Sequence, residues 1–295
     1  MEESGSATLD DAAEVFAQVR PRLFGIAYRM LGSAADAEDV LQEVWLRWQK
    51  ADRSVVENPA AYLATTTTRL AINATRTAYA RRETYVGPWL PEPVDTTADP
   101  QLGAERTAAL EVAVLMLLEK LTPTERAAYV LREAFDYPYS QIAEIIQTTE
   151  VTARQYVSRA RKHLAAEKRK PVSEEERKKL LTAFLAAAQA GDLPALEQLF
   201  AADVVSYSDG GGVARAARSA IFGPATLAKV IRAYQPFFWT DADIVFTHVN
   251  GDLAAVLSRN GAVYGVISFT STEDGIDKIL WMLNPGKLTA ALPAN

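Results

Sequence analysis

Residues 139–164 read YSQIAEIIQTTEVTARQYVSRARKHL, and this stretch decides how the chain is organised. Gln141 to Ile146 carries apolar residues at helical spacing. Gln147 to Glu150 is a short polar break, and Val151 to Leu164 resumes the helical period with Ala153, Val157, Ala160 and Leu164 on one stripe. Two helices joined by a turn of this length form a helix-turn-helix, whose second helix lies in a DNA major groove with its first residues nearest the base edges. Arg154, Gln155, Ser158, Arg159, Arg161 and Lys162 fall off the buried stripe. Arg154 and Gln155, with Ser158 one turn on, are placed for base edges, and Arg can hold a guanine through two hydrogen bonds. Arg159, Arg161 and Lys162 are placed for phosphates, which give affinity without sequence information.

Charge supports a local interface and argues against a broad one. The chain of 295 residues has a formal net charge of −6. Yet Arg154, Arg159, Arg161, Lys162, Lys168, Arg169 and Lys170 cluster against only Glu150 and Glu167, so one basic face sits on an acidic molecule. Such a balance implies weak DNA binding unless a larger partner helps. There is no cysteine and there are only two histidines, His163 and His248. Disulfides, thiolate metal sites and a Cys nucleophile are excluded, and neither a metal nor a cofactor is expected. The N-terminal MEESGSATLDD lacks the basic start and apolar stretch of a signal peptide. The most apolar stretch, Ala108 to Leu121, is too short to span a bilayer and contains Glu111 and Glu119. A soluble cytoplasmic protein without a membrane partner is expected.

Upstream of the motif the pattern is helical from about Asp11 to Arg82. Ser33 is an N-cap followed by Asp36, Glu38 and Asp39 in the first turn, where acids suit the helix dipole. Ala37, Leu41, Val44, Trp45 and Trp48 then form one apolar face. Asn58-Pro59 opens another helix. Its run Thr65 to Thr68 is intrinsically poor in helix propensity, so tertiary packing must hold it. Residues 83–104 read as an acidic linker broken by Pro88, Pro91, Pro93 and Pro100. Trp89 and Leu90 are out of place in a solvated linker, so the tryptophan needs a surface to cover its ring. Thr122-Pro123-Thr124-Glu125 is a capping box that starts a further helix.

Downstream, Pro171 ends the helical part. Ser173 caps a helix that Gly191 stops near Ala190. The period then changes. Val204 to Ser208, Asp243 to Val249, Leu253 to Ser258, Val263 to Ser271 and Ile276 to Leu283 read as strands. Asn250-Gly251 and Asn260-Gly261 are tight hairpin turns, since both positions tolerate positive φ. Residues 173–295 are therefore an α+β domain. His248 shares a strand side with Ile244 and Phe246 and reads as a core histidine. Asp209-Gly210-Gly211-Gly212 reads as a flexible loop. No Lys and Ser/Thr follow it as in a phosphate loop. Asp209, Asp241, Asp243 and His248 are the acid–base candidates of this domain, and no catalytic role is assigned to them.

Three segments in this order resemble a sigma factor of the extracytoplasmic-function (ECF) type. SAADAEDVLQEVWLRWQK (Ser33 to Lys50) resembles the part of sigma domain two that grips the polymerase clamp. NPAAYLATTTTRLAINATRTAYARR (Asn58 to Arg82) resembles the part that opens and reads the minus-ten element. The helix-turn-helix resembles sigma domain four, which reads the minus-thirty-five element. The last domain resembles a SnoaL-like cone-shaped barrel found at the C-terminus of one ECF subgroup, through WLPEP at Trp89 to Pro93, DGGG at Asp209 to Gly212 and NPGKL at Asn284 to Leu288. The subgroup usually has Lys after DGGG and Asp in the last motif, where this chain has Val213 and Gly286.

The resemblance implies a multidomain protein: sigma region 2 over 11–82, a linker over 83–104, a region 4 helix-turn-helix domain over 105–170 and a SnoaL-like domain over 173–295. It implies core RNA polymerase and promoter DNA as partners and leaves room for an unidentified small ligand in the barrel. Asp36, Asp39 and Glu43 would face the polymerase, as an acidic helix face suits a basic partner. Arg69, Asn73 and Arg76 share a helix side and would serve minus-ten melting. There cations hold phosphates and an Asn amide can bond an unstacked base. Trp89, Leu90, Asp209, Gly210, Gly211, Gly212, Asn284 and Lys287 would join the barrel to the linker and regulate activity in cis. The rival readings are a one-component helix-turn-helix regulator with a ligand-sensing barrel and a SnoaL-like enzyme with helical appendages.

Overall fold

A computed structural model describes residues 9–96, 110–167 and 172–289. Lys168, Arg169, Lys170 and Pro171, the linker from 97 to 104, and the start of the region 4 domain at 105–109 lie outside the described residues, as do 290–295. The chain divides into two units. Among the described residues the first comprises 9–83, 110 and 117–166, and the second comprises 84–96, 111–116, 167 and 172–289.

The first unit is all helical. Helix α1 (Leu9–Leu31), α2 (Ala34–Lys50) and α3 (Pro59–Glu83) pack on one another. Ser33 caps α2 by accepting from the Asp36 amide at 3.1 Å. In the threonine run, three of the four hydroxyls find acceptors within the helix. Thr66, Thr67 and Thr68 donate to the carbonyls of Tyr62, Leu63 and Ala64 at 2.8–2.9 Å. Thr67 and Thr68 are fully buried, so these bonds are needed inside the core. Of the expected apolar face of α2, Trp48 is buried and donates its indole N–H to the Ala12 carbonyl. Trp45 is only half-buried, tilted against Phe16 with ring centroids 5.2 Å apart.

Helix α4 (Val112–Leu118) ends in this unit, followed by α5 (Pro123–Glu133), α6 (Tyr139–Ile145) and α7 (Glu150–Glu167). The capping box at Thr122 and Glu125 forms as the sequence requires. Gln147 turns the chain between α6 and α7 at a φ of 54°. Ala153, Val157 and Ala160 are fully buried and Leu164 nearly so.

The two helical groups are tied by a buried arginine. The Arg126 guanidinium donates to the Met30 carbonyl at 2.7 Å, the Leu118 carbonyl at 2.9 Å, the Tyr79 hydroxyl at 2.9 Å and the Glu119 carboxylate at 2.7 Å. Glu119 also pairs with Arg82. Burial pulls Arg82 and Arg126 down to about 10, with mutual repulsion adding to it at Arg82, so both stay charged at neutral pH.

The second unit is one curved sheet with helices on one side. Helices α8 (Glu174–Ala190) and α9 (Leu193–Leu199) lead into strand β1 (Phe200–Asp209). Then come β2 (Ile221–Phe222), α10 (Pro224–Phe238), β3 (Asp243–Val249), β4 (Asp252–Arg259), β5 (Ala262–Thr272) and β6 (Gly275–Met282). The sheet order is β2-β1-β6-β5-β4-β3. β1 and β6 are parallel and the other pairs antiparallel. Asn250, Gly251, Asn260 and Gly261 all take positive φ in the two hairpin turns.

One apolar cluster, built on Phe184, Leu196, Leu227, Ile267 and Trp281, lies between the helices and the inner face of the sheet. A second joins Val256, Val266, Leu280 and Met282 of the outer face to Leu90 and Val112. The expected linker is, over 84–96, a strap packed on the sheet, with Leu90 buried there. Asp95 bridges Val249, and Asn250 bonds the Val94 amide and carbonyl. Helix α9, β2 and α10 were not foreseen. Gly223-Pro224, with Leu227, Ala228 and Ile231 buried behind it, carried the signal for α10.

Two further expectations are corrected. His248 is no core residue. Its strand, β3, is the sheet edge, its side chain is 43% exposed, and its Nε2 lies 3.1 Å from Glu174. The glycine-rich segment does not begin as a free loop, because Asp209 is fully buried.

Candidate functional sites

The recognition helix α7 presents its side chains as its pattern requires. Arg154, Gln155, Ser158, Arg159, Arg161 and Lys162 are all exposed. Three of them are engaged: Arg154 pairs with Glu150 and stacks on Tyr139 at 4.5 Å, Arg159 pairs with Glu125 at 3.5 Å, and Arg161 pairs with Glu133 at 2.7 Å. These are surface pairs, worth about 0–1 kcal/mol each. Gln155, Ser158 and Lys162 have no side-chain partner among the described residues.

On α2, Asp39 and Glu43 are exposed together with Gln42 and Leu46, the last 48% exposed. Spacing of three and four residues puts these on one stripe, acidic with an apolar centre. Asp36 is turned aside and holds Arg81 at 3.0 Å. On α3, Asn73 and Arg76 are exposed and unpartnered among the described residues. Arg69 is not placed with them for DNA. Its guanidinium donates to the carbonyls of Ile145 at 2.9 Å and Glu144 at 3.1 Å, the carboxyl end of α6. The negative end of that helix attracts the cation, which the spacing on α3 could not reveal.

The second unit gathers the remaining candidates around one buried carboxylate. Asp209 accepts from the Tyr85 hydroxyl at 2.5 Å, the Leu90 amide at 2.8 Å, the Gly211 amide at 3.1 Å and the Lys287 ammonium at 2.8 Å. Lys287 also donates to the Leu90 carbonyl at 2.6 Å and lies 4.3 Å from the Trp89 ring centre and 5.0 Å from that of Tyr85. Asn284 donates to the Tyr85 hydroxyl at 2.7 Å and accepts from the Gly286 amide. Each polar atom of the Asp209–Lys287 pair thus has a charge-assisted partner. Burial, then Asp209, pushes the Tyr85 hydroxyl above its ordinary value.

Gly211 sits at a φ of +61°, and a Cβ there would overlap the Asn284 amide. Gly210 cannot take a Cβ either, for Ala214 and Ala216 stand against it, while Gly212 faces Val86. Val213 and Gly286, the two departures from the subgroup motifs, are both exposed. Tyr85 was missed, as a lone tyrosine beside a proline-rich stretch carries no signal for a partner 124 residues away.

Comparison with known proteins agrees with this layout. Residues 15–81 match the model of sigma-70 region 2, and residues 111–164 match that of sigma-70 region 4. The chain is 34% identical over 292 residues to the ECF RNA polymerase sigma factor SigJ of Mycobacterium tuberculosis (strain ATCC 25618 / H37Rv), covering 94% of this chain and 93% of that one. It is 28% identical over 275 residues to a probable ECF RNA polymerase sigma factor, SigI, of the same species, covering 91% and 92%. The crystal structure of M. tuberculosis SigJ superposes with a TM-score of 0.76 at 31% identity, covering 95% of this chain and 99% of that one.

Both promoter-reading regions on one chain define the class, a sigma-70-type initiation factor. The chain belongs to the ECF sigma factors, in the subgroup that carries a C-terminal SnoaL-like domain. It binds core RNA polymerase and directs promoter-specific initiation, within a family that is not enzymatic. No helix among the described residues is long and apolar enough to cross a membrane.

Proposed function

We propose that the SnoaL-like domain regulates this sigma factor in cis by holding the linker between its two promoter-reading regions. The observation that carries this is the buried Asp209–Lys287 pair, which takes both the amide and the carbonyl of Leu90. A backbone clasped from both sides is unavailable to another binding surface. A tethered partner also has an effective concentration that can reach the millimolar range, so the clasp is populated without a second protein. Polymerase that engages the linker must compete with it, and only the unclasped fraction binds.

The promoter-reading roles follow the same residues: Arg154 and Gln155, with Ser158, at minus-thirty-five base edges, Arg159, Arg161 and Lys162 on phosphates, and Asn73 with Arg76 at the melted minus-ten element. Arg69 joins these last two once it leaves the end of α6. Asp39 and Glu43 face the polymerase. Asp36, held by Arg81, supports the helix end beside them.

The test uses full-length protein at equal concentration in multi-round transcription and in titration of core polymerase. Lys287→Met should raise the apparent affinity for core enzyme and change transcript yield. Unchanged affinity and unchanged yield would refute regulation through the linker.

A further inference from the structure

The SnoaL-like domain contains a pocket that the linker does not use. It lies between the inner face of the sheet and α10, open to solvent on one side. Its walls are aromatic and aliphatic, with Tyr234, Phe238, Trp239 and Trp281 the largest side chains. Phe238, Trp239 and Trp281 meet edge to face, with ring centroids 4.9–6.4 Å apart, and make a rigid apolar wall.

Ser206, Ser208 and Arg215 line this apolar space together with the Tyr234 hydroxyl, and all of them can donate. Ser206 is 1% exposed. Its oxygen already accepts from the Trp281 indole N–H at 3.0 Å, so its hydroxyl proton has no acceptor among the described residues. Ser208, 9% exposed, has no side-chain hydrogen bond there either. At the exposed side stands Arg215, its guanidinium 5.3 Å from the Tyr234 ring centre and 5.5 Å from that of Phe237. No carboxylate pairs with it among the described residues, and none lines the pocket. A buried donor without an acceptor is costly, and a guanidinium laid flat on rings has its N–H edge free for an anion.

We propose that this pocket binds a flat aromatic carboxylate with an oxygen acceptor at its far end. The carboxylate meets Arg215 at the mouth, the rings lie against Phe238, Trp239 and Trp281, and the far oxygen accepts from Ser206 and Ser208. The class follows from complementarity: an apolar space walled by aromatic rings, one cation at the mouth, two serine hydroxyls deeper in and no acid.

The probe is 6-hydroxy-2-naphthoate, titrated into the full-length protein and followed by calorimetry and by quenching of tryptophan fluorescence, since two of the five tryptophans line the pocket. One-to-one saturable binding is expected. Arg215→Gln should weaken it about tenfold, the scale of one charge-assisted hydrogen bond. 2-Naphthol, which lacks the carboxylate, should be weaker by a similar factor. Ser206→Ala should weaken 6-hydroxy-2-naphthoate but not 2-naphthoate, which lacks the far oxygen. Ala217→Trp, which fills the pocket from its wall, should abolish binding of all three. The ligand series requires no mutant and so stands even if a variant misfolds. Absence of saturation into the millimolar range, equal binding of 2-naphthol, or binding untouched by Ala217→Trp would each overturn the proposal.

Discussion

Replacing Lys287 with methionine keeps most of the side-chain volume and removes one charge from the interior. Lys287 bonds Asp209 at 2.8 Å and the Leu90 carbonyl at 2.6 Å, and its side chain is 9% exposed against 0% for Asp209. Breaking a buried pair from one side costs about 3–5 kcal/mol, because the other charge is left behind. Asp209 would keep three donors, from Tyr85, Leu90 and Gly211, so the lower end applies, about 3 kcal/mol. At 1.4 kcal/mol per factor of ten, the clasp would open about 100-fold more often. Hydrogen exchange reads this directly, as the Leu90 amide is itself a donor to Asp209. Its exchange should accelerate about 100-fold in Lys287→Met, while amides of β5 and β6, which report opening of the whole domain, change much less. The double variant Asp209→Asn with Lys287→Met leaves no buried charge and should recover part of the loss, giving a coupling energy by double-mutant cycle. If Leu90 exchange is unchanged in Lys287→Met while the protein stays folded, the pair does not hold the linker and the reasoning fails.

Tyr85 gives the pH dependence. Its neutral form is favoured in the folded protein, so its contribution is fully present below its ordinary value of 10.0 and is lost as pH rises through the higher folded value. Trp89 emission should therefore stay constant from neutral pH to about 9 and shift only in strong alkali, whereas a shift near neutrality would contradict this assignment. Gly211→Ala must disturb a backbone at positive φ and push Asn284 off Tyr85. It should lower the melting temperature more than Gly261→Ala, where nothing stands within 4 Å of the added Cβ, as thermal scans of the two variants would show. Charge reversal at Asp39 and Glu43 should reduce pull-down of core polymerase with an unchanged far-ultraviolet spectrum, and undiminished pull-down would remove the acidic stripe from the interface. Arg154→Ala should cost about 1–3 kcal/mol at one base pair of the minus-thirty-five element, whereas Arg159→Ala should weaken all sequences alike. Binding to a set of single-base operator variants separates the two outcomes.

What the sequence disclosed follows from the range of the forces involved. Caps, stripes and tight turns are local, so the Ser33 cap, the Thr122–Glu125 box, the buried stripe of α7 and the Asn-Gly hairpins could be read within a few residues. The family resemblance then supplied the order of domains. Alternation along β3 shows which residues share a side, but not that β3 is the sheet edge. His248 therefore points at Glu174 and water instead of a core. The helical face of Arg69, Asn73 and Arg76 was legible, but the capture of Arg69 by the end of α6 depends on a helix more than 70 residues away. Asp209 and Lys287 were legible as members of short motifs. The fact that one buried carboxylate collects four donors from separate parts of the chain was not.

The strap across the sheet has a consequence for dosage. A separate inhibitory protein restrains its target according to the ratio of two gene products, so a shift in either supply changes the outcome. In the proposed regulation in cis, the linker and the surface that would restrain it are translated together, one of each per molecule. The clasped fraction is an intramolecular equilibrium, blind to how many copies the cell makes. Under that proposal, raising expression would multiply active and held molecules by the same factor. Only an event that acts on the molecule itself, such as arrival of polymerase or a change at the clasp, can alter the proportion between them.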